Sequence, residues 1–71
     1  MSTHTLTIYD PVDKANREVG VTIDRSGALW NFEARFTGDE AILASGRNVQ
    51  AGREDEVLAL ALQCARDARN I

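Results

Sequence analysis

Four stretches that alternate apolar and polar residues precede one long helical stretch, an order that leaves few folds open to 71 residues. In 17–24, Val19, Val21 and Ile23 fall on one side, and Glu18, Gly20, Thr22 and Asp24 on the other. Such period-2 alternation is the mark of a strand with one buried face. The stretch 28–36 repeats it with Trp30, Phe32, Ala34 and Phe36, and 4–9 repeats it with Leu6 and Ile8 against Thr5, Thr7 and Tyr9. A shorter fourth strand is expected over about 40–45. From about 53 to 70 the period changes to that of a helix, rich in Ala, Leu, Glu and Arg and free of β-branched runs. The expected fold is α+β: a four-stranded antiparallel meander in the order 1-2-3-4, with one C-terminal helix packed on one face. The whole chain, 1–71, forms a single domain, since its length leaves room for no second one.

Turn chemistry sets the expected registers. Thr37-Gly38-Asp39-Glu40 carries Gly at the first position of a two-residue loop, as a type II′ hairpin prefers. That loop would place Phe36 opposite Ala41, Ala34 opposite Leu43 and Phe32 opposite Ser45. A four-residue loop after strand two would oppose Ile23 to Trp30, Val21 to Phe32 and Val19 to Ala34. Asp10-Pro11 opens a polar connection through Asn16, and the first strand would set Ile8 opposite Val19 and Leu6 opposite Val21.

On the helix, Val57, Leu58, Leu60, Ala61, Leu62, Cys64, Ala65 and Ala68 make an apolar stripe of roughly 200° at 100° per residue. That is wide enough to cover the sheet and leave Leu60 or Leu62 over. Glu54, Asp55 and Glu56 in the first turn, with Arg66 and Arg69 near the end, follow the helix dipole.

Several function classes lose ground on composition. Eight Lys and Arg against eleven Asp and Glu give a net charge of −3. The seven arginines and one lysine are scattered, whereas a nucleic-acid binder concentrates basic residues in a stripe. Nucleic acid is therefore not the expected partner. The double-stranded-RNA-binding module also ends in a sheet followed by a helix, but it has a helix before its strands and lysines where this chain has Glu54-Asp55-Glu56. No apolar run approaches the ~20 residues of a membrane helix, and Met1-Ser-Thr-His-Thr lacks the features of a secretory signal. A lone Cys64 and a lone His4 supply no disulfide and no zinc site, so no metal or cofactor is expected and a reducing cytoplasm is the natural setting.

Catalysis finds no obvious seat. Cys64 falls on the apolar helix stripe, away from His4, and the carboxylates gather in a turn (Asp39, Glu40) and at the helix start. The segment Gly46–Arg53 before the helix departs from the phosphate-loop spacing. Two surfaces remain. With the registers above, Tyr9, Glu18, Arg35 and Ile42 form a cross-strand row on the sheet face turned from the helix, with Glu18 opposite Arg35. The second surface is the acidic helix start, Glu54, Asp55 and Glu56. These seven residues are the expected partner-binding set. The expectation is a non-enzymatic protein that binds and occludes a macromolecular, protein partner; a phage-encoded anti-CRISPR-type inhibitor is one concrete form. The alternative is an antitoxin-like or regulatory module that dimerises and contacts nucleic acid, for which Arg17, Arg25, Arg47 and Arg53 would have to converge. A homodimer is compatible with either.

Overall fold

The first three alternating stretches form strands, a fourth strand follows later than expected, and the helical stretch forms a helix laid across one side of the sheet. The computed structural model describes residues 1–69. Its elements are β1 (Ser2–Asp10), β2 (Ala15–Ser26), β3 (Leu29–Phe36), β4 (Ala44–Gln50) and α1 (Glu54–Arg69). All neighbouring strands are antiparallel, in the order β1-β2-β3-β4. The α+β meander is thus as expected, with the expected end of the helix at residue 70 lying outside the described residues. No helix among those residues is long and apolar enough to cross a membrane.

The core follows the alternation. Ile8, Val19, Val21, Ile23, Trp30, Phe32, Ala34 and Phe36 are buried on the inner sheet face, against Val57, Ala61 and Ala65 of the helix. The buried helix stripe is narrower than expected. Leu58, Leu62 and Cys64 are half-buried at its margins, Ala68 is exposed, and Leu60 stays 41% exposed. At the sheet end nearest the helix start, Trp30 Nε1 donates to the Ala51 carbonyl at 3.0 Å, fixing the β4–α1 connection to the core.

The registers differ from expectation in an instructive way. Between β1 and β2 the pairing is Leu6↔Val19 and Ile8↔Arg17, two residues from the expected one. Between β2 and β3 it is Ile23↔Phe32, Val21↔Ala34 and Val19↔Phe36, again shifted by two. A shift of two leaves every side chain on its expected face, so the core survives both. The cause in the second hairpin is a tighter turn: Ser26 pairs with Leu29, leaving only Gly27 and Ala28 between them. Gly27, at φ +64°, occupies the first loop position of a type II′ turn. The hairpin chemistry expected at Gly38 is found at Gly27.

The fourth strand is a true correction. It spans Ala44–Gln50, not 40–45. Gly38, at φ +85°, takes the second central position of a turn closed by Asp39 N–H to the Phe36 carbonyl at 3.0 Å, the type II geometry. The Asp39 carboxylate then accepts the Ala41 N–H at 3.0 Å, which carries the chain into a loop instead of back along β3. Pairing resumes with Leu43 N–H to the Ala34 carbonyl and proceeds as Ala34↔Ala44, Phe32↔Gly46 and Trp30↔Val49. The one-residue shift turns Ser45 outward and Ala44 inward. A bulge at Arg47–Asn48, opposite Asn31, restores parity for Val49; Asn48 adopts φ +56°, and its N–H is accepted by the Asn31 side chain at 3.1 Å. This arrangement half-buries Val49 opposite Trp30 and lays the Phe32 ring over Gly46, contacts that a strand ending at residue 45 would forgo.

Gly46 is there because of that ring. A Cβ at this position would lie 2.8 Å from Phe32 Cζ and closer still to Cε2, and the ring sits in a packed core. Gly46→Ala should cost about 1–3 kcal/mol in urea unfolding through overpacking. A loss within about 0.5 kcal/mol, the range of an ordinary surface change, would show that Phe32 moves freely.

Candidate functional site

The outer sheet face is built by the residues that alternate with the core. Their cross-strand rows are Tyr9–Asn16, Thr7–Glu18, Thr5–Gly20–Arg35 and Thr3–Thr22–Glu33–Ser45, followed by Asp24–Asn31. The helix lies on the opposite face, so among the described residues no element covers this one. Tyr9 is 58% exposed, and Ile42, carried out by the β3–β4 loop, is 51% exposed.

Tyr9, Glu18, Arg35 and Ile42 therefore all belong to the outer side, but not to one row. The expected Glu18–Arg35 pair does not form, because the two-residue shift places Arg35 opposite Gly20. Arg35 instead bonds Glu33 on its own strand, Nη2 to Oε2 at 2.9 Å, and donates to the Glu40 carbonyl at 3.3 Å. Gly20 has open space where a side chain would stand. The face thus dips between Thr5 and Arg35. Toward the other end, an open groove of about 560 Å³ has Thr22, Asp24, Asn31, Glu33 and Ser45 among its polar lining and Met1, Phe32 and Ile42 as its apolar members.

Glu54, Asp55 and Glu56 lie away from that face and do different things. The Ser2 hydroxyl donates to Glu54 Oε1, and His4 Nε2 lies 3.1 Å from Oε2. Those bonds, the Ser2 hydroxyl first, hold the Glu54 carboxyl below the usual carboxylate range. Glu56 accepts the Gly52 N–H at 3.1 Å, as the returning half of a capping box does. Asp55 meets only the exposed Arg53, at 3.4 Å. The acidic cluster is thus one tie, one cap and one exposed charge.

The tie has a counterpart that sequence reasoning missed. Asp10, at the end of β1, is the one polar residue among the described residues whose burial matches the core, with 0% exposure. Arg69, at the end of α1, donates to both its oxygens, Nε to Oδ1 at 3.1 Å and Nη2 to Oδ2 at 2.9 Å. The Val12 N–H adds a third bond at 3.0 Å, and Arg17 stands 3.7 Å away, its guanidinium over the Phe36 ring at 3.8 Å. The signal was in the pattern: Asp10 continues the inward parity of Leu6 and Ile8, and Arg69 continues the series Val57, Ala61, Ala65.

The arginines needed for a nucleic-acid surface are dispersed. Arg17 serves the Asp10 end and also bonds Asp13 at 2.8 Å. Arg25 sits over the Trp30 ring at 5.0 Å, near the other end of β2, and bonds the Gly27 carbonyl. Arg47 is on the β4 bulge, and Arg53 leans on Asp55. Among the described residues, no group of three His, Cys, Asp or Glu side chains is placed to hold a metal ion. No family model matches the chain, and no curated protein or solved structure matches it either.

The Arg69 guanidinium holds the Asp10 carboxyl down to about 2, against an ordinary 3.8. A carboxyl depressed on folding stabilises the fold above its ordinary range, and that stabilisation is lost as pH falls through its folded value. Melting temperature should therefore drop from about pH 5 toward about pH 2. Arg69→Gln should melt lower at neutral pH and show a shallower acid drop than the parent. An identical acid limb in the two proteins would contradict this role for the pair.

Proposed function

We propose that this protein is a non-enzymatic binder that occludes the surface of a protein partner, engaging it through the outer face of the sheet. The observation that carries the reading is one-sidedness: the helix covers one face, while the other presents Tyr9 and Ile42 to solvent among threonines, Arg35 and Glu33. An exposed aromatic and an exposed aliphatic side chain within a polar, hydrogen-bonding surround are the ingredients of an interface anchor with its rim. The dip at Gly20 and the groove beside Ile42 give that face relief into which partner side chains can seat.

An inhibitor acting on a cytoplasmic macromolecule, of the phage-encoded anti-CRISPR type, is the form of this activity that suits a small acidic single domain. Such a protein needs no cofactor: its effect comes from the area it covers. Glu18, on the same face as Tyr9 and Arg35, serves specificity through charge, since rim charges govern orientation and encounter rate more than affinity. The acidic helix start contributes through Asp55, because Glu54 and Glu56 are committed to bonds within the fold.

The test is affinity capture of a protein partner from host lysate at low and high salt, followed by binding measurements on variants. One stoichiometric protein retained at high salt is expected. Tyr9→Ala and Ile42→Asp should each weaken it about tenfold or more, a loss of about 1.4 kcal/mol, and Arg35→Glu should weaken it further. Recovery of nucleic acid alone, with capture lost at high salt, would overturn the proposal in favour of a regulatory module that contacts nucleic acid.

A further inference from the structure

The two edges of the sheet are not equivalent. β4 is interrupted by the bulge at Arg47–Asn48 and carries Gly46, devices that discourage pairing with another strand. β1 carries none. Its nine residues pair with β2 in unbroken register, and from Ser2 through Tyr9 the strand holds no Pro, Gly, Lys, Arg, Asp or Glu. A long, regular, uncharged edge leaves a row of backbone donors and acceptors ready for one more strand.

The helix beside that edge says which strand. It runs in the same direction as β1, tied to Ser2 and His4 at its start and to Asp10 at its end. Arg66 lies on the helix flank toward β1, where it lines a groove of about 320 Å³ with Thr7 and Tyr9. Asp55, eleven positions earlier, is within about 20° of Arg66 around the helix and about 16 Å along it. The flank on the β1 side therefore carries Asp55, beside Arg53, at one end and Arg66, beside Asp67, at the other, with Leu58 and Leu62 half-buried between.

We infer that β1 pairs antiparallel with β1 of a second copy, about a two-fold axis near Leu6, to give a continuous eight-stranded sheet. Antiparallel pairing about Leu6 sets Ser2 against the partner's Asp10 end, and Thr5 against the partner's Thr7. The same axis sets Asp55 of each helix at the height of Arg66 of the other, because the point midway between them on the helix is level with Leu6, between the ties at Ser2 and His4 and at Asp10. Strand pairing and charge pairing are thus satisfied together, twice, by one operation, as an isologous interface requires. A strand from an unrelated protein would meet the backbone edge but not the dipolar helix flank. In the dimer the helices share one face, and the two outer faces become a single surface of twice the width.

The experiment is solution mass by light scattering on the purified full chain over a concentration series, with no partner present, so that its outcome is independent of the proposed function. A mass approaching twice 7.8 kDa at high concentration is expected. Thr5→Lys combined with Thr7→Lys, on the outer face of β1, should give monomer at the same concentrations while Trp30 near-ultraviolet circular dichroism shows the fold retained. Asp55→Arg and Arg66→Glu should each raise the dimer dissociation constant about tenfold, and the double variant, which swaps the charges, should recover the parental value. A chain monomeric at every concentration would overturn the inference. So would a dimer indifferent to all these variants, or one in which the charge swap fails to rescue.

Discussion

The guanidinium of Arg69 meets both carboxylate oxygens of Asp10 where β1 and α1 end together, next to the Phe36 ring. At the other end of the same two elements, Glu54 takes bonds from Ser2 and His4. The helix of 16 residues is roughly 24 Å long and the strand of 9 roughly 30 Å, and the two ties fix the helix at both ends and along a single direction. Magnitudes separate what stabilises from what orients. The eight buried apolar residues larger than alanine, at about 1.5–3 kcal/mol each before entropy, dominate the favourable side. A buried ion pair offers little net gain over apolar side chains, but breaking one partner away is costly. The core therefore decides that the helix docks, and the ties decide where. Two of the three buried helix residues are alanines, which interlock with a sheet less than larger side chains do.

That placement produces the asymmetry on which the functional reading rests. A helix tied to β1 at both ends covers the inner face and leaves the outer one to solvent. The same tie aligns the helix flank with the β1 edge, so the acidic and basic ends of α1 lie at fixed heights along that edge. The outer face proposed for the partner and the β1 edge inferred for self-pairing are different surfaces, and Asp55 alone is called on by both.

Much of the fold was legible because alternation survives errors of register. Two hairpins were displaced by two residues, and every expected core residue on β2 and β3 still faced inward. β4 was misplaced for a local reason: Gly38 suits either a type II′ hairpin or a type II turn, and only the non-local gain of seating Val49 by Trp30 and Phe32 over Gly46 chooses between them. Of the expected site, Tyr9 and Ile42 are exposed as the pattern implied, but the Glu18–Arg35 row depended on a register and dissolved with it. The acidic triplet looked like a surface patch because composition does not show that Glu54 would be taken by Ser2 and His4, more than fifty residues earlier. Asp10 was hidden by Pro11, which marks a turn so strongly that the inward parity of its neighbour went unused.

The account stands on the claim that Asp10 and Arg69 act as one unit. A double-mutant cycle by urea unfolding at neutral pH, with Asp10→Asn, Arg69→Gln and their combination, tests it directly. Strong non-additivity is expected, with the double variant scarcely less stable than Arg69→Gln alone, since the neutral pair leaves no unpaired buried charge. Simple addition of the two losses would mean that the residues contribute separately and that something else holds the helix in place.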